Sequence, residues 1–127
     1  MAATVLDASA ILCLVQQEPG ADLVEARLDE AQVSTVNVCE VLGKFADAGL
    51  SPDEAWAAIA DLGLQIQPFT PEDARQAAAL RLSTRALGLS LGDRACIALA
   101  QRLGCEALTT DRAWAAVDAG VALTVVR

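Results

Sequence analysis

Short apolar runs alternate with amphipathic stretches along the whole chain, and this alternation predicts a parallel α/β fold. Helix starts are marked by capping boxes such as Ser51-Pro52-Asp53-Glu54, in which serine caps and proline takes the first helical position. The first predicted strand is the stretch 4–10 (TVLDASA), whose apolar run ends at Asp7, and the other predicted strands are residues 33–36, 64–67, 107–109 and 121–126. The predicted helices are residues 10–17, 21–30, 37–49, 52–62, 71–87 and 91–103, with a short one around Trp114.

Helices between strands cover both faces of a parallel sheet, so we expect one three-layer domain spanning residues 1–127. The first strand is strongly apolar and ends in Asp7. We expect it in the middle of the sheet, between the strands at Val33 and Leu108. Ligands of open α/β sheets bind at the carboxyl ends of the strands, so Asp7 marks the predicted site.

Three further acids are placed like Asp7. Asp111 follows the fourth strand, Glu40 lies in the predicted first turn after the second strand, and Asp93 opens the apolar helix before the fourth strand. All four should therefore project from one edge of the sheet. Carboxylates ~5 Å apart repel by about 3 kcal/mol per pair at an effective dielectric of ~20, so such a group implies a cation. Oxygen ligands without histidine or cysteine are typical of Mg²⁺ or Mn²⁺.

Each acid also has a simpler structural explanation. Asp7 and Asp111 could cap the helices that follow them, and Asp93 fits the third helical position of a capping box. Glu40 could pair with Lys44 at i, i+4 spacing. Taken singly, these explanations are the more common ones; the joint placement of the four favours a metal site.

Hydroxyls and arginines accompany the acids. Ser9 lies two residues after Asp7, and Thr109 lies two residues before Asp111, so either could orient a carboxylate or instead make a local turn hydrogen bond. Arg94 and Arg112 are candidates for contacts to substrate phosphates, with a solvated arginine as the alternative.

Composition excludes several classes of protein. The net charge of −8 argues against a nonspecific polyanion binder, and a chain with no histidine lacks the usual residue of zinc sites and of acid–base catalysis. The four cysteines form no C-x-x-C pair and are interpreted as reduced core residues. We expect no membrane span, no signal peptide and a cytoplasmic location, since no apolar run approaches ~20 residues and the N-terminus lacks a basic start.

The apolar fraction of 54% is high for one domain and suggests a covered partner surface. The helices at 21–30 and 52–62 carry Leu28, Trp56 and Ile59 among many apolar residues. We expect them to line a groove for an amphipathic partner helix; ordinary core packing is the alternative. The two tryptophans are otherwise interpreted as packing residues.

The acidic motifs, in their order and spacing, resemble the PIN-domain ribonucleases of the VapC toxin type. The matching stretches are residues 5–10 (VLDASA), 36–41 (VNVCEV), 89–93 (LSLGD) and 108–114 (LTTDRAW). The resemblance implies a five-stranded parallel sheet in the order 3-2-1-4-5 and Mg²⁺- or Mn²⁺-dependent cleavage of RNA. It also implies a homodimer and a cognate VapB-type antitoxin. From the chemistry of such metals and the acidic charge of the chain we expect attack by a metal-activated water and cleavage of structured RNA.

Carried over to this sequence, the resemblance makes Asp7, Glu40, Asp93 and Asp111 the metal ligands and catalytic residues. Ser9 matches the Asp-x-Ser/Thr pattern of the family. Asn37 falls where the family varies and receives no role.

Two other acid-based classes fit poorly, and one alternative stays open. A phosphoacceptor receiver domain needs paired acids after the first strand and a late lysine, and a haloacid-type phosphatase needs Asp-x-Asp where this chain has Ser9. The open alternative is a PIN-like module that binds protein or RNA without turnover.

Overall fold

The computed structural model describes residues 3–127 and contains a five-stranded, all-parallel sheet. The strands are β1 (Thr4–Leu6), β2 (Ala31–Ser34), β3 (Gln65–Gln67), β4 (Glu106–Thr109) and β5 (Leu123–Val125). The helices are α1 (Ala8–Val15), α2 (Ala21–Glu25), α3 (Thr35–Asp47), α4 (Pro52–Ala60), α5 (Pro71–Thr84) and α6 (Leu91–Leu103). The sheet order β3-β2-β1-β4-β5 confirms the predicted α/β fold and places β1 in the middle.

Helices cover both faces of the sheet because side chains alternate along each strand. Leu6 and Leu108 face the core formed with α1 to α4, whereas Val5 and Ala107 face the core formed with α5 and α6. These strand residues are fully buried, which explains why the central strands contain few polar residues.

The second strand lies two residues earlier than the sequence pattern predicts. β2 ends at Ser34, whose side chain accepts a hydrogen bond from the Val36 backbone N–H (3.2 Å) and caps α3. Thr35 and Val36 therefore belong to the helix, although both have high strand propensity. As a result Glu40 is in the second turn of α3, not the first.

Three predicted helices are shorter than expected, including the one predicted for residues 52–62, which ends at Ala60. The helix predicted for residues 21–30 ends at Glu25 and gives way to a 3₁₀ turn, Leu28–Glu30, because the chain must become extended at Ala31 to pair with Thr4. The helix predicted to reach residue 87 ends at Thr84, and a second 3₁₀ turn follows over residues 85–87. The short helix around Trp114 is also 3₁₀. Among residues 3–127, no helix is long and apolar enough to cross a membrane.

A half-buried ion pair joins α5 to α6. Asp73, which is 2% exposed, accepts hydrogen bonds from Arg102 Nε on Oδ1 (2.8 Å) and from Arg102 Nη2 on Oδ2 (3.1 Å). The same carboxylate completes the capping box of Thr70 at the start of α5. Asp73 therefore fixes both the start of one helix and its contact with the next.

Removing the cation of this pair should destabilise the protein because it leaves Asp73 buried without its countercharge. We expect Arg102→Met, which keeps the aliphatic bulk, to lower the free energy of unfolding by about 2 kcal/mol, below the 3–5 kcal/mol typical of a fully buried pair. The expected loss is smaller than for a fully buried pair because the Arg102 side chain is 32% exposed to water. Urea denaturation measures the effect, with Arg75→Met, an exposed arginine on the same helix as Asp73, as the control. Equal stability of the two variants would contradict this account.

Candidate active site

A cleft of about 230 Å³ opens at the carboxyl edge of the sheet, and all four predicted acids line it. β1 leads directly to one acid, β4 to another, and α3 and α6 supply the other two from their N-terminal halves. The lining residues are Asp7, Ala8, Ser9, Leu12, Glu40, Lys44, Asp93 and Asp111. The strand-end pattern in the sequence therefore identified residues that come together in space.

Asp7 is the most deeply buried acid of the cleft, with 3% of its surface exposed. Its Oδ1 accepts hydrogen bonds from the Ser9 hydroxyl (2.7 Å) and the Ala10 backbone N–H (2.8 Å), and its Oδ2 accepts one from the Thr109 hydroxyl (2.6 Å). Asp7 thus caps α1 and faces the cleft at once. The two hydroxyls predicted to orient a carboxylate do contact one, and both contact Asp7.

The hydroxyl network also connects β1 to the loop after β4. Ser9 Oγ accepts a hydrogen bond from the Thr110 backbone N–H (3.0 Å), and Thr109 Oγ1 accepts one from the Asp111 backbone N–H (3.0 Å). The position of Asp111 therefore depends on the same hydroxyl that holds Asp7.

Burial raises the pKa of Asp7 from 3.8 to about 6. The hydrogen bonds from Thr109, Ser9 and Ala10 oppose this rise because they stabilise the charged form, and the negative charge of Asp93 adds to it. The carboxylate is therefore costly to ionise in the folded protein, and a cation in the cleft would offset that cost.

The other three acids are more accessible and also have local partners. Asp93 Oδ2 accepts from the Ser90 backbone N–H (2.8 Å) in the predicted capping box, and Asp111 Oδ1 accepts from the Ala113 backbone N–H (2.9 Å). Glu40 Oε1 accepts from Asn37 Nδ2 (2.7 Å). Within residues 3–127, the second carboxylate oxygen of each acid accepts no hydrogen bond. The capping role and a role in the cleft are therefore compatible.

The candidate phosphate-binding arginines have different positions. Arg94 is 8% exposed and donates from Nη1 to the Ala77 carbonyl (2.9 Å), so its side chain lies between α6 and α5. The expectation that it meets a phosphate is wrong, because its position on α6 faces the helix pair and not the cleft. Arg112 is exposed beside Asp111 and remains a candidate.

The predicted apolar groove is also wrong in its residues. Ile59 is 1% exposed and belongs to the core, and Leu28 is half-buried against the same core, so of the three predicted residues only Trp56, 51% exposed, is largely at the surface. The core takes Ile59 because it follows buried Ala55 by one helical turn. An apolar groove of about 340 Å³ lies instead between α3 and α4, lined by Cys39, Leu42, Gly43, Ala46, Leu50, Pro52 and Ala55.

Three residues of the site were missed by the sequence analysis. Lys44 lines the cleft, although in the described part of the chain it forms no ion pair with Glu40. Asn37 binds Glu40, and Gly92 packs directly against the Glu40 carboxylate. The signals were the i, i+3 spacing of Asn37 and Glu40, and a glycine immediately before Asp93, but neither identifies a partner on another helix.

The donor chemistry of the cleft fits a divalent metal ion that prefers oxygen. Its potential donors are carboxylate and hydroxyl oxygens, and no cysteine is among the residues that line it. Across residues 3–127 no group of three or more acidic or thiol side chains is arranged so that it could hold a metal ion. The acids therefore match such an ion in the type of donor, while each keeps its local hydrogen bond.

Sequence and structure comparisons give the family. The PIN domain family matches residues 4–120, and the chain therefore belongs to the PIN-domain family, whose members are generally nucleases. No curated protein is similar enough in sequence to count as a match.

Solved structures share the fold at low sequence identity. A toxin–antitoxin complex from Klebsiella pneumoniae aligns with a TM-score of 0.78 at 18% identity, over 98% of both chains. A DNA-bound VapBC from Salmonella typhimurium aligns with a TM-score of 0.73 at 15% identity, again over 98% of both. A member of the VapBC family of toxin–antitoxin systems from Mycobacterium tuberculosis aligns with a TM-score of 0.61 at 22% identity, over 100% of this chain and 99% of that one.

The raised pKa of Asp7 predicts a specific pH dependence of stability in the presence of a chelator. The folded state binds the Asp7 proton more tightly than the unfolded state, so the Asp7 contribution is fully present below pH 3.8 and is lost as the pH rises through about 6. A pKa raised from 3.8 to about 6 corresponds to about 3 kcal/mol.

We therefore expect the stability of wild type minus that of Asp7→Asn to fall by up to about 3 kcal/mol between pH 4 and pH 7. Urea denaturation across this range measures it. The difference between the two proteins isolates Asp7 from the other acids, and a difference that stays constant with pH would contradict the prediction.

Proposed function

We propose that the protein is a divalent-metal-dependent endoribonuclease of the VapC toxin type. The observation that carries the proposal is the convergence of Asp7, Glu40, Asp93 and Asp111 on one cleft. Membership of the PIN-domain family and the likeness to toxin–antitoxin structures support it.

In this proposal Asp7, Glu40, Asp93 and Asp111 hold Mg²⁺ or Mn²⁺. When bound, such an ion neutralises charge on a scissile phosphate and makes a water acidic enough to attack it in line. Asp7 is held in one orientation by Ser9 and Thr109, so it needs no reorientation during the reaction.

The same cleft contains the cationic group that an RNA backbone needs. Lys44 faces the acids, and Arg112 is exposed next to Asp111. Lys44 replaces Arg94 as a proposed phosphate contact. With a net charge of −8, the chain must bind RNA through these local cations, the metal and RNA shape, which favours single-stranded loops of structured RNA.

Cleavage of a structured RNA tests the chemistry. We expect activity with Mn²⁺ or Mg²⁺, none in excess chelator, and products with a 5′-phosphate and a 3′-hydroxyl. Asp7→Asn or Asp93→Asn should lower kcat by roughly 10²–10³-fold or more, because each removes a charge that acts on the transition state. Asp53→Asn is the matched control, since Asp53 is an exposed acid in the first turn of α4.

Three outcomes would refute the catalytic proposal. Products with a 2′,3′-cyclic phosphate would exclude attack by an activated water, and full activity in chelator would exclude a metal. RNA binding without cleavage in Mn²⁺ would favour the alternative function, a PIN-like binding module.

The proposal includes a cognate antitoxin, a homodimer and a cytoplasmic site of action. The structural neighbours include toxin–antitoxin complexes, and the four cysteines here are unpaired, as expected in a reducing compartment. The apolar groove between α3 and α4, with exposed Trp56 on α4, is the surface that suits an amphipathic antitoxin segment.

Trp56 tests this surface. We expect Trp56→Ala to weaken antitoxin binding about tenfold or more, because exposed aromatic residues contribute strongly to interfaces. Calorimetric titration with the antitoxin measures the affinity. Leu82→Ala is the control, since Leu82 is an 81% exposed apolar residue on α5. Wild-type affinity of a folded Trp56→Ala protein would remove Trp56 from the interface.

A further inference from the structure

Asn37 is a buried amide that connects two helices of the candidate site. It is 1% exposed, and its Nδ2 donates to Glu40 Oε1 (2.7 Å) and to the Gly92 carbonyl (3.1 Å). Both partners are acceptors only, so the NH₂ group must face them. Asn37 therefore joins the Glu40 carboxylate on α3 to the first turn of α6, one residue before Asp93.

This orientation leaves Asn37 Oδ1 buried and, within the described residues, without a donor. Buried polar atoms without partners are rare in native interiors because they cost stability. Three other buried side-chain atoms of the described residues share this state, so the two hydrogen bonds donated by the NH₂ group are the observation that bears on the role of Asn37.

Gly92 supplies a second, independent constraint on Glu40. A Cβ atom at residue 92 would collide with the Glu40 carboxylate, most closely with Oε1, and would lie 2.6 Å from Oε2. The glycine thus provides the space in which the carboxylate lies against the start of α6. Asn37 holds that carboxylate by a hydrogen bond, and the absence of a side chain at Gly92 leaves room for it.

We propose that Asn37 is a positioning residue for Glu40, and that with Gly92 it holds this carboxylate against the start of α6, beside Asp93, for metal binding. The inference rests on the proposed function. Asn37 donates to Glu40 Oε1, whereas Oε2 accepts no hydrogen bond within the described residues. Asn37 itself does not line the cleft and acts only through Glu40.

Two variants displace Glu40 by different routes. Asn37→Leu removes the donor and keeps the side chain branched at Cγ. Gly92→Ala fills the space of the carboxylate but suits a helix, so the flexible Glu40 side chain gives way and the backbone does not. We expect each to weaken Mn²⁺ binding, measured calorimetrically without RNA, by about 10–100-fold, with a fall in kcat and little change in KM.

Repeating each substitution in the Glu40→Gln background separates positioning from a general loss of stability. If Asn37 acts through Glu40, Asn37→Leu has no further effect on Mn²⁺ affinity there. Thr84→Val is the matched control: Thr84 is 1% exposed, and its hydroxyl donates to the Leu80 carbonyl (2.7 Å) away from the cleft. It should leave Mn²⁺ affinity unchanged.

Hydrogen exchange of the Asn37 side-chain amide in chelator provides a readout that needs neither metal nor activity. We expect slow exchange in wild type and faster exchange in Glu40→Ala, which removes the acceptor that Glu40→Gln would keep, and in Gly92→Ala. Fast exchange in wild type, normal Mn²⁺ affinity of folded Asn37→Leu, or an undiminished effect in Glu40→Gln would overturn the inference. Slow exchange in a wild-type protein that neither binds Mn²⁺ nor cuts RNA would instead overturn the proposed function.

Discussion

Burial of the Asp7 carboxylate at the end of the central strand is the constraint on which the rest of the site depends. An ionised carboxylate that is 3% exposed is costly, and the hydrogen bonds from Ser9, Ala10 and Thr109 reduce that cost. The Ser9 and Thr109 hydroxyls also accept hydrogen bonds from the backbone of the loop after β4. The hydroxyls that stabilise the Asp7 carboxylate therefore also hold Asp111 in position. One buried charge thereby orders the ends of two neighbouring strands.

The opposite wall of the cleft is held by a different interaction. Asn37 links α3 to α6, so the two helices that carry Glu40 and Asp93 are joined at the point where their acids face the cleft. Exposure increases from buried Asp7 through half-buried Asp93 to exposed Glu40 and Asp111. The cleft therefore has a fixed base and an accessible rim, which suits a ligand that enters from solvent.

The sequence correctly predicted those features that follow from backbone geometry alone. Parallel strands end at one edge, so the acids that follow strands could be placed together without coordinates. Residue environments that depend on packing between helices could not be inferred. Periodicity cannot say which side of α6 faces α5, so the burial of Arg94 was missed, and it cannot separate core Ile59 from exposed Trp56 on one helix. The start of α3 was also missed. Ser34 is the last paired residue of β2 and also caps α3, so the helix begins at Thr35.

The charge distribution constrains how such a site can select its substrate. The chain carries −8 overall, and the burial of Arg94 leaves Lys44 as the cation among the residues that line the cleft. Four carboxylates around one lysine repel a polyanion, so on the proposed function a divalent cation is needed for RNA to bind as well as for RNA to react. Metal and substrate binding are then linked: each stabilises the other by the same free energy. A phosphate held only through that ion and a few local cations gains little from bulk electrostatics, which leaves RNA shape at the cleft as the main basis for discrimination.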